Sequence, residues 1–181
     1  MDKQNPQNIE QSTVKPPSRF KKWGKELAGM ILIIAVISYA MDFYYSSSMP
    51  SGTAPPIAGM TVQGEMVDAI EMSKSGKPVI IYFWATWCTA CKFVSPTINH
   101  FAKNHQVVSV ALSSGNDDRV RRFLSAKEYD FPVLNDVTSR ISRDWEISVT
   151  PTIVIIKDGE IQHISTGVTT PWGLWFRTLF V

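Results

Sequence analysis

A chain of 181 residues has room for one domain of ordinary size plus extra segments, so a single hydrophobic core is expected. The net charge is only +2, and from residue 46 onward 12 basic residues face 12 acidic ones, a balance that gives no reason to expect nucleic acid as a partner. Cys88 and Cys91 are the two cysteines, so no further pair is left for a structural disulfide and cysteine usage does not fix the compartment.

Residues 1–18 are polar and contain Pro6, Pro16 and Pro17, with too little apolar surface to offset the entropy of ordering them. Together with the basic cluster Arg19, Lys21, Lys22 and Lys25 they make residues 1–26 a disordered tail. Residues 27–45 then run apolar from Leu27 to Met41 and end in Phe43, Tyr44 and Tyr45. As a helix, this stretch would span about 28 Å, close to the roughly 30 Å hydrocarbon core of a bilayer. It is therefore predicted to be a transmembrane anchor. Trp23 and the tyrosines suit the two interfaces, and the basic cluster keeps the tail cytoplasmic, so the rest of the chain faces the other side. A cleaved signal peptide competes with this reading, because Ser38-Tyr39-Ala40 offers small residues for a peptidase. The 26-residue leader is long for such a peptide, and the uncleaved anchor is preferred.

Residues 46–60 mix serine, glycine and proline and read as a linker, which puts the domain at residues 61–181. Glu65 to Lys74 has Met66, Ala69 and Ile70 at helical spacing and is predicted to be a short helix ended by Ser75-Gly76-Lys77-Pro78. Val79 to Trp84, Val107 to Leu112 and Ile153 to Ile156 are apolar without alternation, the pattern of strands covered on both faces. Helices are predicted from Cys88 to about Lys103, from Asp117 to about Tyr129 with Asn116 or Asp117 as cap, and from Ser139 to Trp145. Strands and helices in alternation predict an α/β fold with a mainly parallel sheet. Asp158-Gly159 is a hairpin turn that adds an antiparallel strand, Glu160 to Ser165. Thr170 and Pro171 then open a last helix whose apolar face is Trp172, Trp175, Phe176, Leu179 and Phe180.

The chemistry sits in Trp87-Cys88-Thr89-Ala90-Cys91, directly after the first buried strand. If Cys88 opens a helix, its sulfur meets the free N–H groups and the positive dipole end of the first turn, which favour the attacking thiolate. Cys91, one turn on, can then close a ring with Cys88 and release a mixed disulfide. A buried, inert pair is the plain alternative, since free cysteine packs as a small hydrophobe. Zinc is another, because His100 and His105 follow at loosely finger-like spacing. Nine residues of helix put His100 about 13 Å from Cys91, too far for shared coordination. The residues call for no metal and no cofactor.

The string Phe83 to Lys92, with Pro96 behind it, resembles the active-site motif of the thioredoxin superfamily. Val149-Thr150-Pro151-Thr152, the strand that follows and the Lys157-Asp158-Gly159-Glu160 turn resemble that family's cis-proline loop and terminal hairpin. The resemblance covers roughly residues 60 to 181 and implies a thioredoxin fold, a central mixed sheet flanked by helices. It implies a cis Thr150-Pro151 bond, whereas the general frequency of about 5 to 6 per cent before proline would predict trans. It further implies that Thr150 and Pro151 bind an extended substrate and that Trp87 shields the disulfide. Two positions depart from the family: Tyr82 stands where many thioredoxins carry a buried acid, and Thr89-Ala90 lacks the familiar proline.

An anchor followed by such a domain is most similar to the TlpA/ResA-like group, and within it to the suppressor-of-copper-sensitivity D type. That resemblance implies a protein-disulfide oxidoreductase fixed in a bacterial inner membrane with its domain in the periplasm. Its partners would be protein thiols and disulfides and a transmembrane, DsbD-like electron donor. Reduction through Cys88 and Cys91 is the leading expectation. An oxidase or isomerase using the same residues, a copper-handling protein and a redox-inert binding module remain open beside it.

Overall fold

The computed structural model describes residues 26–34, 36, 37, 39, 40, 44, 49–169 and 172–175. The chain divides into two units, Met1–Tyr39 and Ala40–Val181. In the first, residues 26–34 are helical, and Ile31, Leu32, Ile33 and Ile34 are all exposed. Among the described residues no helix is long and apolar enough to cross a membrane. Residues 1–25 of the predicted tail and several positions of the predicted anchor lie outside the described residues, as do Thr170, Pro171, Phe176, Leu179 and Phe180 of the last predicted helix. Residues 172–175 of that helix are helical.

The second unit is built on a five-stranded mixed sheet. Its strands are β3 (Val79–Trp84), β4 (Gln106–Leu112), β5 (Val133–Asp136), β6 (Thr152–Lys157) and β7 (Glu160–Thr166), in the order β5-β4-β3-β6-β7. β3 runs parallel to β4 and antiparallel to β6; β4 and β5 are parallel, and β6 and β7 form the hairpin predicted at Asp158-Gly159. The expected thioredoxin fold is present, with the sheet covered on both sides, but the sheet is not mainly parallel as the alternation of strands and helices predicts: β6 enters antiparallel beside β3, so two of the four pairings are antiparallel.

β3 explains the covering. All six of its residues are buried, and alternate side chains point to opposite faces. Ile80, Tyr82 and Trp84 pack with Cys88, Cys91, Val94 and Ile98, the last four from the segment leading into and along α2 (Cys91–Phe101). Val120 and Leu124 of α3 (Asp117–Lys127) join the same layer. On the other face Val79, Ile81 and Phe83 pack with Ile57, Ala69 and Trp145. A continuous apolar run is what a strand needs when both of its faces are dry.

Three local readings differ from the structure. The helix expected over Glu65 to Lys74 is instead strand β2 (Met66–Asp68) followed by α1 (Ala69–Ser73). Asp68 makes the boundary: its carboxylate accepts the N–H groups of Ile70 and Glu71, both at 3.0 Å, and so caps the helix after the apolar pattern has begun. β2 pairs with β1 (Ala58–Met60), inside the stretch read as linker. The described part of that stretch is bonded to the domain: Ala54 N–H donates to Gly159 O at 2.9 Å and Ile161 N–H to Gly52 O at 2.7 Å, while Met49, Ala54 and Ile57 are buried. The sequence does not announce β5, because the strand is only four residues long, follows Pro132 and ends in the polar Asn135 and Asp136.

Asp136 also starts α4 (Arg140–Asp144). Ser139, the cap residue by position, makes no side-chain cap hydrogen bond. The buried Asp136 carboxylate does so instead, accepting from Ser142 N–H and Ser142 Oγ, both at 2.8 Å, and from Ile141 N–H at 3.3 Å.

Trp145, fully buried at the end of α4, packs on Phe83 with ring centroids 5.6 Å apart. Trp145→Ala should cost about 3–5 kcal/mol by leaving a cavity under the sheet. Equilibrium urea unfolding followed by circular dichroism checks this, and a loss well under about 1 kcal/mol would contradict the packing described.

Candidate active site

The end of β3 sets the site. After Trp84 the chain turns through Thr86 to Ala90, with Cys88 N–H donating to Ala85 O at 3.2 Å, and α2 begins at Cys91. Cys88 therefore does not open the helix, as the sequence reading had it; it lies in the turn just ahead. Cys88 and Cys91 are joined as a disulfide, with their Cα atoms 5.3 Å apart.

This placement still gives the sulfur a helix terminus. The cap residue Ala90 has no side chain to offer the first turn, where Lys92 N–H donates to Thr89 O at 3.2 Å and Phe93 N–H to Ala90 O at 3.1 Å. Cys91 N–H donates instead to Cys88 Sγ at 3.1 Å. On reduction the same N–H and the positive end of the helix dipole would favour a thiolate at Cys88. Both cysteines are buried, Cys88 at 6% exposed and Cys91 at 2%.

The proline loop faces this disulfide. The Thr150-Pro151 bond is cis, and Thr150 O lies 3.6 Å from Cys88 Sγ. Pro151 directly precedes β6, where its missing N–H breaks no strand pairing. Its carbonyl accepts Gly167 N–H at 2.8 Å, tying the loop to the end of β7. Trp87 stands 62% exposed beside the disulfide and helps to line a cleft of about 350 Å³ with Leu112, Ile147, Ser148, Val149 and Thr150. The structure thus gathers Trp87, Cys88, Cys91, Thr150 and Pro151 at one edge of the sheet, although some 60 residues separate the two segments.

Below the disulfide lies a group the sequence reading noted only as a missing acid. Tyr82 is fully buried, and its phenol shares a 2.9 Å hydrogen bond with Ser95 Oγ, one helical turn after Cys91. Its ring stacks with Trp84 at 6.4 Å, and Phe131 stands edge-on to both. Burial pushes the Tyr82 phenol well above its ordinary value, against the smaller opposing effect of the Ser95 hydrogen bond. The core beside the cysteines is therefore furnished with neutral hydroxyls. The seryl loop after β4 was missed altogether: Trp87 Nε1 donates to Ser113 O at 3.3 Å and Thr86 N–H to Ser114 Oγ at 3.0 Å. Neither serine stands in a motif, so no local pattern announces them.

A thioredoxin fold with a CxxC disulfide at the head of a helix, faced by a cis-proline loop, defines a class: the thiol-disulfide oxidoreductases. The chain belongs to the AhpC/TSA family, whose model matches residues 50–164. It is similar to a thioredoxin-like protein of Haemophilus influenzae, 38% identical over 167 residues that cover 90% of this chain and 96% of that one. It is 32% identical to the thiol-disulfide oxidoreductase ResA of Oceanobacillus iheyensis, over 76% of this chain and 80% of the other. The crystal structure of StoA from Bacillus subtilis superposes with a TM-score of 0.61 at 27% identity, covering 71% of this chain and 99% of that one. The protein is an enzyme, a thiol-disulfide oxidoreductase of the ResA and StoA type carrying the Cys88–Cys91 pair.

The raised phenol has a measurable consequence. An unfolded tyrosine loses its proton near pH 10, whereas folded Tyr82 holds it to higher pH. Above about pH 10 the unfolded chain therefore binds fewer protons than the native one, and stability falls as pH rises. Tyr82→Phe should flatten this alkaline fall, with a remainder from Tyr129, also pushed up by its burial. Urea midpoints measured from pH 8 to 11 decide it, and an unchanged slope in the variant would contradict the assignment.

Proposed function

We propose that this oxidoreductase reduces protein disulfides outside the cytoplasm while tethered to a bacterial inner membrane. Cys88 is the attacking sulfur and Cys91 the resolving one. The observation that carries this is the pairing of Cys91 N–H with Cys88 Sγ at 3.1 Å. The Cys88 thiolate attacks one sulfur of a substrate disulfide, and the other leaves as a thiolate that takes up a proton. Cys91 gives up its proton and attacks Cys88 Sγ, which re-forms the Cys88–Cys91 bond and releases the second substrate thiol. Two electrons pass to the substrate, and the protein is left oxidised.

Substrate lies across Trp87, Thr150 and Pro151. Thr150 O, 3.6 Å from Cys88 Sγ, is placed to accept an N–H from an extended segment, while the cleft beside Trp87 receives a neighbouring side chain. A DsbD-like transmembrane donor returns the protein to its dithiol form.

The anchor is residues 27–45, preceded by a cytoplasmic tail over 1–26, and the periplasmic domain follows. Supporting it, the consecutive helical residues Ile31 to Ile34 are each more than half exposed. Four successive residues at 100° per step turn through almost a full circle, and a helix apolar on every side suits lipid better than water. An anchor ahead of a domain with this spacing also resembles the suppressor-of-copper-sensitivity D type.

Cys88→Ser should abolish reduction of insulin disulfides, whereas Cys91→Ser should trap mixed disulfides with substrate; a Cys88→Ser protein as active as the unaltered one removes the proposed nucleophile. The potential of the Cys88–Cys91 couple, equilibrated against glutathione or dithiothreitol, is expected near or below about −230 mV. A value nearer −120 mV would make the protein a disulfide donor and reverse the direction of electron flow. On fractionation the full chain should stay in membranes through an alkaline carbonate wash. A mature protein beginning at Met41 in membrane-free extract would refute the anchor.

A further inference from the structure

The turn that carries Cys88 is tied to a loop on the neighbouring strand. Ser113, Ser114 and Gly115 follow β4, and the backbone has positive φ at Ser113 (43°) and Gly115 (89°). Glycine suits position 115, where φ of 89° is a conformation that side chains rarely adopt. Between these two bends Ser114 is 1% exposed. Its hydroxyl accepts Thr86 N–H at 3.0 Å and donates to Leu112 O at 3.0 Å.

This oxygen anchors the turn two residues before Cys88, alongside the bond from Trp87 Nε1 to Ser113 O. Thr86 Oγ1, although buried, finds no hydrogen-bond partner among the described residues and so adds no hold of its own. The loop is itself fixed from behind: Asn135 Nδ2 donates to Gly115 O at 2.9 Å and to Asp117 Oδ1 at 2.8 Å, and Ser113 Oγ pairs with Ser139 Oγ at 3.2 Å. A rigid support thus reaches from β5 and the start of α4 through Ser114 to the redox turn.

We propose that Ser114 is a positioning residue for thiol-disulfide exchange, its buried hydroxyl fixing Thr86 and thereby the seat of Cys88 Sγ against Cys91 N–H. It touches neither sulfur nor substrate. A hydrogen bond to a thiolate is charge-assisted and depends on a short contact, so a shift of the turn weakens it. Displacements of about 1 Å at a reacting atom can cost up to about a hundredfold in rate. The inference rests on Cys88 being the attacking sulfur.

The test compares Ser114→Ala, which removes the oxygen, with Ser114→Thr, which keeps it, in the full chain. Two quantities are read: the pH midpoint for alkylation of reduced Cys88 by iodoacetamide, and kcat/KM for insulin disulfide reduction. Ser114→Ala should raise the alkylation midpoint and lower kcat/KM on the order of tenfold, and Ser114→Thr should restore both. If Ser114→Ala leaves both quantities unchanged, whatever its melting temperature, or if Ser114→Thr fails to restore them, the proposal is overturned. Hydrogen exchange of the Thr86 amide in the unaltered, reduced protein provides a check that needs no variant: protection is expected, and exchange at the open-chain rate would overturn the proposal. Cys88→Ser is assayed alongside. Activity there would defeat the choice of nucleophile, while the alkylation midpoint still reports on Ser114 separately.

Discussion

The contact between Cys91 N–H and Cys88 Sγ is the interaction on which the rest of the site depends. A helix that begins at a cysteine, after an alanine with no capping side chain, bonds its next N–H groups within the turn, Lys92 to Thr89 O and Phe93 to Ala90 O, and leaves Cys91 N–H to find another acceptor. The sulfur takes that place at 3.1 Å. Because a thiolate is a better acceptor than a thiol or a disulfide sulfur, the cap is strongest in the form that reacts. Structure and reactivity are therefore set by one bond.

Everything around that bond serves to hold two chain segments at a fixed separation. β3 drives the CxxC turn to the edge of the sheet because all six of its residues need to be covered. β6 brings the proline loop to the same edge by pairing antiparallel with β3, Phe83 opposite Thr152. β4, on the other side of β3, supplies the seryl loop that grips Thr86 and Trp87. The three strands meet at the site from both sides of the central one, so its geometry is a property of the sheet and of no single loop.

The electrostatic character of the site follows from what is absent beneath it. Tyr82 and Ser95 share a neutral hydrogen bond where a carboxyl would carry a titrating charge. With the phenol pushed up by burial, the pair stays neutral at ordinary pH. In the proposed mechanism a thiolate at Cys88 would then depend on the helix terminus and the backbone around it, which is why the position of the turn matters.

The order of the strands in the sheet was not legible in the sequence; fold class, the buried central strands and the redox pair were. Their causes are local: uninterrupted apolar runs at Val79–Trp84 and Ile153–Ile156, an Asp-Gly hairpin turn, and two cysteines at one-turn spacing. Short-range preferences misplaced the residues whose structure is decided elsewhere. Met66 to Asp68 read as helix because their spacing fits one, but pairing with Ala58 to Met60 made them a strand. Residues 49–60 read as linker because proline and serine suit one, yet hydrogen bonds to Gly159 and Ile161 draw them onto the domain. Ser113, Ser114 and Ser95 carry no motif, since a serine acquires its role only from the donor or acceptor that folding brings to it. The sequence by itself determined which residues could exchange electrons, because thiol chemistry belongs to the side chain. Only the tertiary structure decided what holds the Cys88 turn in place, because that depends on contacts between residues 26 to 62 positions apart.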